Sequence, residues 1–180
     1  MVSTQNQSTA ERDGGDDAIS DLAGIEPGSP QARLRDERPD AVRFAQGSYS
    51  ALLEPEDPAG VSRRERELVA LRVGILTCAP GVAARHRARL RALGGTDAEL
   101  AAVERFQDGL SGLSPRETAM LRHTDLLTLQ PGASRPEHIA ALKAAGLTPR
   151  DIVTVSQLIA FMSYEVRILA GLRVLSEEPA

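Results

Sequence analysis

The stretch that decides the fold is ERELVALRVGILTCAPGVAARH, residues 65–86. Its apolar residues Leu68, Leu71 and Ile75 recur at the three- and four-residue spacing of one helix face. A second helical segment is expected after Cys78, because Pro80 suits the first turn of a helix. The stretch therefore predicts two consecutive helices, with the only cysteine of the chain at the start of the second.

Further helix starts flank this stretch on both sides. Each is a hydroxyl residue with an acid three positions later, a pair that satisfies free N–H groups at a helix N-terminus. The pairs are Ser62 with Glu65, Thr96 with Glu99, Ser114 with Glu117, and Thr148 with Asp151. With the glycines that follow, they predict helices at roughly 62–76, 79–93, 97–108, 114–129, 135–145 and 149–175.

The rest of the chain indicates an all-α fold. Two shorter helices are expected at 31–37 and 40–53, and no segment shows the alternation or turn signals of a hairpin. A weak internal repeat pairs VSRRERELVAL (61–71) with LSPRETAMLRH (113–123). It predicts two similar helical halves around one core, although two capped amphipathic helices can also resemble each other by chance.

Composition limits the class of protein. The 180 residues predict one helical domain over 18–180, behind a polar and disordered tail at 1–17. The net charge of −4 disfavours nucleic acid as a partner, and no apolar run is long enough to span a membrane. A single cysteine excludes an intramolecular disulfide, and the N-terminus lacks the features of a secretory signal, so a cytoplasmic location is expected.

Three residues of the central stretch are candidates for chemistry. Cys78 at a helix start could be an activated thiolate, or it could be a small buried hydrophobe. Glu67 flanks the apolar stripe, where a carboxylate can gain a raised pKa and transfer protons. It could equally be a surface residue paired with Arg63, Arg64 or Arg66.

His86 is the third candidate. His86 follows Cys78 by eight positions, which on a continuous helix correspond to about 12 Å of rise, so the two can bond only if the chain bends at Pro80–Gly81. The arginines around His86 alternate about the helix and form no nucleic-acid face. His123 and His138 show no ligand spacing, so neither a metal site nor a cofactor is predicted.

These residues resemble the core motif of the carboxymuconolactone decarboxylase superfamily, in particular its AhpD-like alkylhydroperoxidases. That motif is a glutamate, eleven residues, Cys-x-x-Cys, three residues and a histidine. Glu67 and His86 match it, but Ala79 and Val82 occupy the two cysteine positions and Cys78 is one residue out of register. The resemblance runs from about residue 18 to 175 and includes the closing helix, where Ser163 and Tyr164 are expected either to border a substrate pocket or simply to pack.

The resemblance implies an AhpD-like helical bundle that forms a homo-oligomer. It implies hydroperoxide reduction only where the dithiol is present, and one cysteine cannot complete a dithiol cycle. The leading interpretation is a peroxidase-type oxidoreductase with altered chemistry, which uses Cys78, a small-molecule substrate and an external thiol. The alternatives are a non-catalytic assembly or regulatory partner of an intact paralogue, and a decarboxylase-type enzyme that transfers protons through Glu67 and His86.

Overall fold

A computed structural model describes residues 17–106 and 112–177. The predicted tail at 1–17 lies, apart from Asp17, outside these residues. The described parts contain helices and no strand, which confirms the all-α prediction. The helices are α1 (Ala18–Ala23), α2 (Pro30–Asp36), α3 (Pro39–Leu53), α4 (Arg63–Leu76), α5 (Pro80–Ala92), α6 (Asp97–Glu104), α7 (Pro115–Leu129), α8 (Pro136–Ala144) and α9 (Pro149–Glu177).

All four predicted helix caps are present. The hydroxyls of Ser62, Thr96 and Ser114 each accept a hydrogen bond from the backbone N–H three residues on, and the acid there accepts one from the cap residue's own N–H. Thr148 and Asp151 bond in the same reciprocal way, at 2.9 and 3.2 Å. The helix bounds agree with the predictions to within a few residues. The largest difference is α6, which ends at Glu104 instead of 108.

The helix α4 lies at the centre of the fold and packs against α5, α7 and α9. Its residues from Arg66 to Gly74 are all buried. Val69 and Val73 of α4 join Leu158 and Met162 of α9 in the main apolar core. A helix enclosed on all sides can hold polar groups away from water, so the core of this bundle is also where a buried site can form.

A glycine brings α4 and α5 close together. A Cβ atom at Gly74 would lie 2.8 Å from the backbone nitrogen of Ala83, which is closer than real Cβ contacts allow. The two helices can therefore approach as closely as they do only because residue 74 has no side chain. This approach sets the distance between the polar residues that face each other across the pair.

The two halves of the chain are related by a shift of 52 positions, which aligns 61–99 with 113–151. The similarity is strongest beyond the segment in which the repeat was predicted, because six of the eleven positions from 86 to 96 are identical to those from 138 to 148. Gly94 and Gly146, which follow α5 and α8, have φ of 86° and 87°. The internal repeat thus covers two helices and the start of a third in each half.

The contacts between the halves are reciprocal. Arg64 donates to Glu117 at 2.6 Å, and its repeat equivalent Arg116 donates to Glu65 at 2.7 Å. Arg64 also pairs with Glu99, and Arg116 lies 3.8 Å from Asp151 at the equivalent position. Such an exchange of partners is what two similar halves produce when they pack face to face, and it confirms the prediction of two similar halves around one core.

Candidate functional site

A buried carboxylate–imidazole pair joins α4 to α5. Nδ1 of His86 lies 2.6 Å from Oε2 of Glu67, and the two side chains are 0% and 1% exposed. Nε of Arg89 donates to the other Glu67 oxygen, Oε1, at 2.7 Å. Both carboxylate oxygens are therefore occupied, so Glu67 acts as a buried acceptor between the two helices.

The hydrogen-bond partner of Nδ1 indicates which nitrogen of the His86 ring carries a proton. Because Glu67 as a carboxylate only accepts hydrogen bonds, Nδ1 of His86 carries the proton of this contact. The second ring nitrogen, Nε2, is buried and has no hydrogen-bond partner. In the neutral ring Nε2 is a free proton acceptor, which is the arrangement of a general base oriented by a carboxylate.

Arg89 links this pair to the surface. It contacts Glu54 at 2.6 Å and donates to the Tyr49 hydroxyl at 3.2 Å. Burial alone would lower the pKa of Arg89, but the hydrogen bond and charge of Glu67, with a smaller contribution from Glu54, raise it above its ordinary value. Arg89 therefore stays cationic and balances the buried negative charge of Glu67.

Cys78 lies in the turn between α4 and α5. Its backbone N–H bonds to Ile75 O at 3.1 Å, and the N–H of Ala79 bonds to Gly74 O at 2.9 Å. These two bonds form a Schellman helix end, whose left-handed position is usually glycine. Cys78 occupies that position with a φ of 53° and is exposed. The thiol is therefore held outside both helices, two residues before α5 begins.

The exposed thiol borders a cleft of about 290 Å³. Ala79 and Val82, which match the two cysteines of the motif, line the same cleft. The opposite walls come from α1 and from the C-terminal half of α9, including Val166 and Leu169, with Arg173 as the one charged residue of the lining. The cleft is therefore mostly apolar, and its floor is the turn that carries Cys78.

The geometry decides between several of the alternatives left open by the sequence. Glu67 is not a surface residue paired with Arg63, Arg64 or Arg66, because it is buried against His86 and Arg89. Cys78 is not a buried hydrophobe. Among the hydrogen bonds of the described residues, none joins Cys78 to His86.

Ser163 and Tyr164 are not brought to the cleft that Cys78 lines. Tyr164 is 41% exposed and lies in a surface groove between α3 and α9, beside Phe44 and Phe161. Ser163 is half-buried, and its backbone oxygen accepts a hydrogen bond from Arg167. If Ser163 and Tyr164 border a substrate pocket, it is therefore not the cleft that Cys78 lines.

The sequence did not indicate the roles of two polar residues, Arg89 and Glu165. Arg89 follows His86 by three positions, a spacing that places both on one helix face and could have indicated a shared partner. Glu165 is fully buried in α9, and neither carboxylate oxygen has a hydrogen-bond partner. Burial raises its pKa to about 7, although the nearby charge of Arg85 acts in the opposite direction. A glutamate inside an otherwise apolar helix was its only sequence signal.

Two further findings concern the described residues only. Their helices include none that is long and apolar enough to cross a membrane. Over the same parts of the chain, no group of three or more His, Cys, Asp or Glu side chains is placed to hold a metal ion.

Comparisons with known proteins connect this geometry to a family. Residues 39–126 match the profile described as "Carboxymuconolactone decarboxylase family". The match includes Glu67, Cys78 and His86. A comparison with curated protein sequences finds no match.

Three solved structures share the fold. An uncharacterized peroxidase-related protein with an alkylhydroperoxidase AhpD core, from Ralstonia eutropha JMP134, has a TM-score of 0.67 at 20% identity and covers 90% of this chain and 87% of its own. A protein of unknown function from Agrobacterium tumefaciens, likened to the antioxidant defence protein AhpD, has a TM-score of 0.68 at 19% identity, with 82% and 96% covered. An uncharacterized peroxidase-related protein from Silicibacter sp. TM1040 has a TM-score of 0.67 at 19% identity, with 74% and 69% covered. The chain thus carries, over residues 39–126, a domain of the carboxymuconolactone decarboxylase family, within an AhpD-like helical fold.

Proposed function

We propose that this protein is a one-cysteine peroxidase-type oxidoreductase that reduces small organic hydroperoxides at the expense of an external thiol. The observation that carries the proposal is the place of Cys78. The thiol is exposed at the floor of a mostly apolar cleft, which it shares with the two positions where the motif has its cysteines. The cleft is open to a substrate, and the displaced thiol faces the same space that a dithiol would occupy.

The reaction balances with one cysteine and two external thiols. The Cys78 thiolate attacks the terminal oxygen of ROOH, the O–O bond breaks, and ROH leaves after protonation while Cys78 becomes a sulfenic acid. A first external thiol condenses with the sulfenic acid to a mixed disulfide and water. A second thiol then displaces Cys78, which returns as a thiol, and the two external thiols leave as a disulfide.

The buried pair would supply proton transfer at this cleft. His86 lies one helical turn after Val82, which lines the cleft, and its free Nε2 can accept a proton while Glu67 holds Nδ1. Because Cys78 and His86 are not hydrogen-bonded, any proton moves between them through water or through the substrate. We expect this indirect coupling to make the one-cysteine reaction slower than that of a dithiol in direct contact with a histidine.

Peroxide consumption with dithiothreitol as the external thiol tests the proposal. We expect turnover of cumene hydroperoxide that is lost in Cys78→Ser and strongly reduced in His86→Gln, with Glu54→Gln as a control that changes only the exposed end of the ion network. Trapping of the sulfenic acid by dimedone at Cys78 should accompany turnover. Turnover that survives Cys78→Ser would refute the mechanism, and absence of turnover in the wild type would favour the non-catalytic alternative.

A second candidate is decarboxylase-type proton transfer. It is favoured by one observation: the Glu67–His86–Arg89 cluster is complete without any thiol, and Nε2 of His86 is left unpaired. Activity on a lactone carboxylate that survives Cys78→Ser but not Glu67→Gln would support this candidate. With either candidate function, the homo-oligomer and the cytoplasmic location remain predictions from the sequence.

A further inference from the structure

The internal repeat places two surface clefts at equivalent positions. The first lies against Glu67 and Arg89 on the side of α4 and α5 facing α3, and the second lies between α7 and α8. Five lining residues of the first correspond, 52 positions on, to five lining residues of the second. The pairs are Arg63 with Pro115, Glu67 with Ala119, Arg89 with Ala141, Ala92 with Ala144, and Leu93 with Ala145.

The second cleft lacks the buried carboxylate and the guanidinium that line the first. Ala119 replaces the buried carboxylate of Glu67, and Ala141 replaces the guanidinium of Arg89, while His138 stands at the position of His86. Leu126 replaces Gly74, the residue that allows α4 and α5 to approach so closely. The cleft between α7 and α8 has a volume of about 460 Å³, similar to the volume of about 410 Å³ of the first, so the two clefts differ mainly in the charges of their linings. The volume of the second cleft lies in the range of small-molecule sites in proteins.

The ionisable groups of this cleft are all bases. Its lining contains Arg122, His123 and His138 and no acidic residue, and the remaining walls are alanine, leucine and proline. Arg122 is exposed, and no ion pair or hydrogen bond of its side chain occurs among the described residues. An apolar cleft that contains a guanidinium and two imidazoles but no carboxylate is complementary to an anion that carries an apolar body.

The hydrogen bonds of the two histidines fix which nitrogens remain available. His138 Nδ1 accepts from the backbone N–H of Arg135 at 3.0 Å, so in the neutral ring its Nε2 carries a proton and can donate to a ligand. The hydroxyl of Ser156 donates to Ile152 O, so it accepts from Nε2–H of His123 at 2.9 Å. His123 is 6% exposed, and its Nδ1 is left without a partner. The cleft therefore has unused polar groups as well as unfilled space.

We propose that the cleft between α7 and α8 binds a small organic carboxylate with a compact apolar body. The ligand carboxylate takes the place of the Glu67 carboxylate that this half of the chain lacks, and Arg122 and His138 donate to it. The apolar body lies on Leu126 and on Ala119 and Ala141, the two alanines that replace Glu67 and Arg89 of the first half. This site shares no lining residue with the Cys78 cleft, so it is independent of the proposed peroxidase reaction.

Binding of simple carboxylates to the full-length protein tests the inference. The probes are benzoate, cyclohexanecarboxylate and hexanoate, each compared with its neutral amide by NMR titration of ¹⁵N-labelled protein. We expect saturable binding of at least one carboxylate, with shifts confined to α7 and α8 and with the amide at least about tenfold weaker, because a charge-assisted contact is lost. No saturable binding, or equal binding of the amides, would overturn the inference.

Two variants locate the site, and two more serve as controls. Arg122→Gln should weaken binding by about tenfold or more, whereas Arg150→Gln, an exposed arginine that does not line the cleft, should leave it unchanged. Ala119→Glu restores the carboxylate of the first half and should abolish binding, because an internal anion then occupies the ligand position. Arg122 is exposed, so its variant tests the site even if Ala119→Glu folds poorly. Binding that is unaffected by Arg122→Gln places the carboxylate elsewhere and refutes the assignment. Cys78→Ser should leave binding unchanged, which separates this outcome from that of the peroxidase proposal.

Discussion

Glu165 gives the stability of this protein a pH dependence that a single substitution should remove. The side chain is 0% exposed, its two oxygens have no hydrogen-bond partner, and burial raises its pKa from an ordinary 4.5 to about 7. Arg85 lowers the pKa, but its charge does not offset the burial. The folded protein therefore favours the neutral carboxylic acid, whereas the unfolded chain ionises near pH 4.5.

The sign of the effect follows from proton binding. Between pH 4.5 and about 7 the folded state holds a proton at Glu165 that the unfolded state has lost, so stability falls as pH rises. The full stability is present below pH 4.5 and is lost as pH rises through about 7. The difference between a pKa of 4.5 in the unfolded chain and about 7 in the folded protein corresponds to roughly 3 kcal/mol at pH 8.

Urea unfolding of the wild type and of Glu165→Gln from pH 4.5 to 8 measures the contribution of Glu165 to the free energy of unfolding. The quantity to compare is the difference in unfolding free energy between the two proteins, because the other titrating groups are common to both. Relative to wild type, the variant should gain roughly 3 kcal/mol between pH 4.5 and pH 8. Glu56→Gln, at an exposed position, should show a difference of less than about 0.5 kcal/mol at every pH.

Two results would refute the reasoning on Glu165. A difference that is flat with pH would mean that Glu165 titrates normally in the folded protein. A variant that loses stability relative to wild type as pH rises would mean that the carboxylate is ionised and paired in the native state.

Three further predictions concern the contact between α4 and α5. In urea unfolding, Gly74→Ala should destabilise the protein by about 1–2 kcal/mol, because its Cβ would meet the Ala83 backbone. Gly47→Ala in α3 is the control: its Cβ meets open space, so this variant should be more stable than the wild type by about 0.5–1 kcal/mol. Glu67→Gln should cost about 2 kcal/mol by the same measurement, through loss of charge-assisted bonds to His86 and Arg89, and Glu54→Gln less than about 1 kcal/mol. Cys78→Gly should be more stable than Cys78→Ala by about 1 kcal/mol in thermal unfolding, because only glycine adopts a φ of 53° without strain; equal stability of the two variants would contradict the left-handed turn.

The fold was accessible from the sequence because its signals are local. Each cap pair, such as Ser62 with Glu65, satisfies N–H groups within four residues and needs no partner elsewhere in the chain. The apolar stripe of α4 predicted that Leu68 and Leu71 are buried, but not that the helix is enclosed on all sides from Arg66 to Gly74. The end of α6 was misplaced because it was predicted from the next glycine, Gly109, whereas the helix ends at Glu104 without a glycine at its C-terminus.

The candidate site was less accessible because it depends on contacts across the fold. Glu67 and His86 are 19 positions apart, and their bond exists because Gly74 lets the two helices approach. The counting of residues also treated Cys78 as part of the second helix, although it ends the first in a left-handed turn. Spacing along one helix cannot describe a residue at which the chain reverses direction, so the absence of a hydrogen bond between Cys78 and His86 had to come from the structure.

The conformation of Cys78 bears on whether its position reflects selection for chemistry or chance. A non-glycine residue in a left-handed helix end costs about 1–2 kcal/mol, and glycine there would avoid the cost. The neighbouring cleft residues Ala79 and Val82 are ordinary apolar residues in unstrained conformations, and either could have held a thiol without that cost. A cysteine that is exposed, strained and directed to a cleft gains nothing from packing. The strain at Cys78 therefore favours a role for its sulfur over a role as a packing residue, and this is the physical reason to test the one-cysteine reaction before the thiol-independent alternatives.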